Sequence, residues 1–167
     1  ILAFITSRYT LDKKESSVRA WLARHLDLLA AVRLPNNAFK ENAGTEVVTD
    51  VLFMRKRFEE TKDLPDWVET EFFSQSYRQT NINGYFTQNP HMILGVQGMD
   101  GTLYKSDGYT VNADGRILGE AMKEILRSVL LENVLVMDNE PKSAECAESE
   151  IAITLSAPNP GDQERIS

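Results

Sequence analysis

The sequence predicts an α/β fold class, and three observations predict it. Residues 1–6, ILAFIT, make a continuous apolar run of strand length, the pattern of a strand covered on both faces. Val18, Trp21, Leu22, His25 and Leu26 then recur with the spacing of one helix face. Two further apolar runs, LLAAVRLP at 28–35 and EVVTDVLFMRKR at 46–57, flank a polar, Gly-containing loop with a single aromatic, Phe39. The order is β-α-β-β. A loop of about ten residues is shorter than a parallel crossover needs, so the last strand pair is expected to be antiparallel.

Each element has its local signal. Ser16 and Ser17 offer N-caps for the first helix. Pro35 ends the second strand because proline cannot donate to a ladder, and the third strand ends in the basic run Arg55-Lys56-Arg57. Beyond Phe58 the pattern weakens. In INGYFTQNPHMILG, Asn89 and Pro90 suit the cap and first position of a short helix closed by Gly95. TLYKSDGYTV alternates around Asp107-Gly108, a hairpin turn. Ile117, Leu118, Ala121, Met122, Ile125, Leu126, Val129 and Leu130 repeat with a helical period, with Asp114 placed to cap. The expected division is a first segment at 1–57, an α+β extension at 58–137, and an acidic linker or frayed tail at 138–167, rich in Ser, Pro and Glu.

Composition bounds the function. At 42% hydrophobic and 26% charged residues, the 167-residue chain reads as a soluble globular protein. No apolar run approaches the roughly 20 residues that cross a membrane. The opening ILAFITS has no basic n-region or cleavage site, so it is expected to be a strand rather than a signal peptide, in a chain cut from something longer. Cys146 is alone and His25 and His91 lie far apart, which argues against disulfides and zinc and for a reducing cytoplasm. Net charge is -7, but residues 1–57 hold ten Lys or Arg against six Asp or Glu, and the remainder eight against nineteen. Only the first third is expected to lie near DNA, whose phosphates demand cations.

Few motifs carry chemistry. QNPHM at 88–92 has the outline of the Asn-Pro-Pro-aromatic motif of amino methyltransferases, but His91 and Met92 replace its last two residues and it follows the strands instead of preceding them. It reads as a helix cap. His25, on the apolar helix face, reads as a core or boundary histidine before a catalytic base, and the Arg55-Lys56-Arg57 run as a solvated strand end before a phosphate contact. No nucleophile elbow, phosphate-cradling glycine loop or paired carboxylates are visible.

Residues 1–57 as a whole resemble the second half of an adenine-specific (N6) DNA methyltransferase domain, most of all that of the large mobile-element proteins that join a methyltransferase to a helicase. The resemblance rests on the strand ending near Ser7, the helix after it, Leu34-Pro35, Phe39, Gly44-Thr45 and the strand VVTDVLFMRKR. INGYFTQNPHMILG and GTLYKSDGYTV resemble the extension of those proteins, so the likeness reaches about Leu130. It implies a partial Rossmann-like sheet in which residues 47–55 lie antiparallel between 1–6 and 28–34. It also implies methyl transfer from S-adenosylmethionine to the exocyclic amine of a flipped adenine, with DNA as partner and a fused helicase domain as a further possibility. Phe39 is then the substrate-contact candidate, stacking on the flipped base, or else an anchor for its loop. The family's cofactor loop, ribose acid and Asn-Pro-Pro-aromatic motif have no counterpart here, so the chain alone is expected to be inactive and to contribute no catalytic, cofactor-binding or metal residue. The alternative is a non-catalytic DNA-associated or protein-interaction module derived from a methyltransferase.

Overall fold

The computed structural model of the protein describes residues 1–44, 46–100 and 108–139. The fold is mixed α/β with three small antiparallel sheets. The first holds β1 (Leu2–Ser7), β2 (Leu26–Leu34) and β3 (Thr49–Lys56) in the order β1-β3-β2. The central strand β3 runs antiparallel to both neighbours, with Phe4 opposite Leu52 and Val32 opposite Val51. The expected pairing of the three apolar runs is therefore observed. A bulge at Leu29 shifts the β2 register between Leu28 and Ala30, adding one residue and local twist.

Between β1 and β2 lie the single turn α1 (Tyr9–Asp12) and the helix α2 (Ser17–His25), and α3 (Lys40–Ala43) sits in the loop before β3. The helix α2 forms where its periodicity places it, but with a different face inward. Arg19 and Ala23 are buried, whereas Val18 and Trp21 are more than half exposed. Arg19 turns the helix: its Nε donates to the Val68 carbonyl and its Nη1 to that of Lys13. The helix start differs too. Ser16 makes no side-chain cap; instead the Glu15 carboxylate accepts from the Ser17 N–H and hydroxyl, bonds that hold Glu15 below its ordinary pKa.

The remainder builds β4 (Thr70–Gln75) and β5 (Arg78–Asn83) as a hairpin, α4 (Gly84–Gln88), the pair β6 (Val96–Gly98) and β7 (Thr110–Asn112), and the long helix α5 (Leu118–Asn139). A 3₁₀ turn at Pro90–Met92 has Asn89 before it and proline first, as the Asn-Pro pair predicts. Gly95 does not close that turn. A Cβ there would lie 2.4 Å from the Asn112 carbonyl and 2.8 Å from Val111 Cγ1, so glycine lets the chain pass against β7. Asp114 is not the α5 cap either. It binds the Arg116 N–H and guanidinium two residues on, in the loop before the helix. The expected turn residue Asp107 falls outside the described residues, as does the expected tail at 138–167 apart from Asp138 and Asn139, which end α5.

The first sheet is sandwiched. On one face Ala31, Leu52 and Met54 join a core with Leu11, Ala23, Phe86 and Val111. On the other, Val32 and Leu34 join Leu94, with Val51, Phe53 and the α5 residues Leu118, Ala121, Met122 and Ile125 packed against them. Residues on both sides of position 57 thus share each core. The contradiction with the sequence pattern lies at β1. Expected to be covered on both faces, it contributes to neither cluster. Leu2 and Phe4 are over 40% exposed on one face, and Ile5 is 63% exposed on the other.

Candidate functional site

The loop from Pro35 to Gly44 leaves β2 where proline ends the ladder, and its backbone is closed by local bonds. The Ala38 N–H donates to Pro35 O, Lys40 N–H to Asn37 O and Gly44 N–H to Lys40 O. Gly44 takes the left-handed conformation at φ 63° that ends α3. Lys40 pairs with Glu46 across the mouth of the loop.

Phe39 stands at the position preceding α3. It is half-buried and packs against the Val32, Leu34 and Leu94 cluster. The same cluster also takes Met92, Val51 and Phe53 and the first turns of α5. The structure therefore gives Phe39 an anchoring contact and leaves part of its surface open. The loop is also fastened from outside. Asn36 donates its backbone N–H to Val111 O at 2.8 Å and its side-chain Nδ2 to Thr110 Oγ1 at 3.0 Å.

On the opposite face of the sheet lies an ion network that sequence reasoning missed. Arg33 and Asp50 face each other across β2 and β3, and both are fully buried. Arg33 Nε and Nη2 each donate at 2.8 Å to a different oxygen of Asp50, a two-pronged contact. Arg33 Nη2 also reaches Asp12 Oδ1 at 2.9 Å, and its Nη1 reaches the Tyr109 hydroxyl at 3.3 Å. Asp12 further accepts from Arg8 Nη1 and from the Asn83 N–H. The Arg33 guanidinium lies 4.1 Å from the Phe86 ring centre. Burial works against the Arg33 charge, but Asp50 and Asp12 outweigh it and hold the group well above its ordinary pKa. Burial drives the Asp50 carboxyl toward the neutral acid against the pull of Arg33; the geometry, with both oxygens accepting, fits the carboxylate. Two guanidinium groups thus balance two carboxylates. The arrangement binds α1, β2, β3, β5 and the residue before β7 into one unit, and it holds no carboxylate free to move a proton.

The other sequence candidates are accounted for structurally. His25 stacks on Trp21 at 4.5 Å, with Nδ1 beside Trp21 O and Nε2 beside Glu60. Arg55 and Arg57 both bind Asp27, which neutralises part of the basic strand end. In the QNPHM stretch, Asn89 Nδ2 donates to Tyr85 O and His91 is exposed. No family model, curated protein or solved structure matches the chain.

Proposed function

We propose that the chain is a segment of an S-adenosylmethionine-dependent, adenine-specific DNA methyltransferase, supplying the strands and base-pocket loop downstream of the catalytic motif. The observation that carries this reading is the strand order β1-β3-β2 with β3 antiparallel to both neighbours. It is the arrangement the family resemblance implies, in which the last strand inserts between its predecessors. The exposed apolar faces of β1 add to it, since a strand of this composition suits an interior place in a larger sheet. On this reading the loop from Pro35 to Gly44 borders the base pocket, and Phe39 presents its open surface to the flipped adenine. S-adenosylmethionine and DNA would be engaged through the complete protein, alone or fused to a helicase.

The experiment is to read the gene in frame upstream of Ile1. A glycine-rich cofactor loop and an Asn-Pro-Pro-aromatic motif within about 150 residues, the span of an ordinary domain, are the expected result. Unrelated sequence there would favour the alternative, a binding module that keeps the strand arrangement without the cofactor site.

A further inference from the structure

The chain between β2 and Phe39 is held at one point from a distant part of the sequence. Pro35 has no N–H, so Asn36 carries the first donors after the strand, and both of those donors go to adjacent residues of β7. Thr110, the side-chain acceptor, is 4% exposed, and its bond to half-buried Asn36 lies partly out of water. The strand that receives these bonds is itself fixed. Beside it, the Tyr109 hydroxyl donates to Gln97 Oε1 at 2.9 Å and accepts from buried Arg33. Burial pushes the Tyr109 hydroxyl pKa up, which keeps it a neutral donor. Just past the end of β6, the Met99 N–H donates to Gln75 Oε1 and Met99 O accepts from Arg78, tying this strand pair to the β4–β5 hairpin. Leu94, which forms part of the floor under Phe39, donates its N–H to Arg33 O at 2.8 Å.

We propose that Asn36 and Thr110 are a positioning pair through which the β6–β7 strand pair sets the placement of the Phe39 loop over the sheet, and with it the loop's grip on an extrahelical base. The second half of this statement rests on the base-pocket reading above. The extension is then a working part of the pocket, acting through two hydrogen bonds and a shared floor without touching the base.

The test uses the full 167-residue chain with Thr110→Val, which keeps the shape and removes the acceptor, and Thr110→Ser, which restores it. Amide exchange of residues 37–44 is followed alongside titration, at low salt, of a DNA duplex bearing 2-aminopurine at an unpaired position. Thr110→Val is expected to speed loop exchange and weaken base-dependent binding about three- to tenfold, the worth of one hydrogen bond, with β3 exchange unchanged and Thr110→Ser near the parent. Unchanged loop exchange in Thr110→Val would overturn the pair. Phe39→Ala, run beside it, separates the two claims. If Phe39→Ala weakens binding and Thr110→Val does not, the positioning role is wrong. If neither changes binding while Thr110→Val speeds exchange, the base-pocket reading is what has failed and the grip on a base falls with it.

Discussion

Phe39 has to serve two masters, the cluster beneath it and the ligand proposed above it, and substitution separates them. As a stacking surface it is worth roughly 1–3 kcal/mol per base, the range that alanine replacement of such aromatics gives. Trp or Tyr should then keep most methyl transfer in the complete enzyme, while Ala and Leu lose it with cofactor affinity unchanged. As a pure anchor it should tolerate Leu better than Trp, and Ala should lower the melting temperature along with the rate. Rate, cofactor affinity and melting temperature measured on all four variants distinguish the patterns. Arg33 is the hub of the buried ion network. Arg33→Met removes one guanidinium from a buried set that is otherwise balanced, leaving Asp50 without its two-pronged partner and Asp12 with Arg8 and the Asn83 N–H. Breaking a buried pair in this way costs about 3–5 kcal/mol. Urea denaturation should show that loss, and a loss below about 1 kcal/mol, the size of an exposed ion pair, would mean that the network is solvated.

At the scale of elements, the first three strands and their pairing were legible because each is an apolar run bounded by a proline, polar loops or charges. The α2 helix was legible but its inward face was not, because Arg19 carries enough hydrogen bonds to be buried while Trp21 stays out. The β4–β5 hairpin left no readable pattern. Its sequence is mostly polar, and its Phe72 is 69% exposed, so alternation does not mark a buried face. The ion network did leave a trace: Arg33 and Asp50 each interrupt an apolar strand, and charges inside such runs seek each other when the strands pair. The Gly95 contact was invisible because it depends on how two distant segments cross. Gly95→Ala should therefore destabilise the chain by about 1–3 kcal/mol, as overpacking does. Gly119→Ala, in open space on α5, should be neutral or stabilising by up to about 1 kcal/mol. Melting both variants checks the contrast, and equal behaviour would contradict the close crossing of Gly95 and β7.

At the scale of the molecule, the two edges of the first sheet differ in kind. The β2 edge is met at its C-terminal end: Leu94 donates to Arg33 O, Ile93 bridges Arg33 in parallel, and just past the strand Asn36 bonds to Val111. The outer edge of β1 has no partner strand among the described residues, and its apolar side chains lie open on both faces. Among the described residues, no helix is long and apolar enough to cross a membrane; on the proposed reading, the exposed β1 surface meets a protein neighbour. The proposed neighbour is the cofactor-binding half of the same methyltransferase, and functional complementation tests it most directly. The segment encoded in frame upstream of Ile1 and this chain are expressed separately, then assayed apart and mixed for transfer of a labelled methyl group from S-adenosylmethionine to adenine in duplex DNA. No transfer by this chain alone is expected, and mixing should give transfer at adenine N6 that is abolished when charges are placed at Leu2 and Phe4. Transfer by this chain alone, or a well-folded upstream segment whose activity is indifferent to this chain, would contradict the proposal.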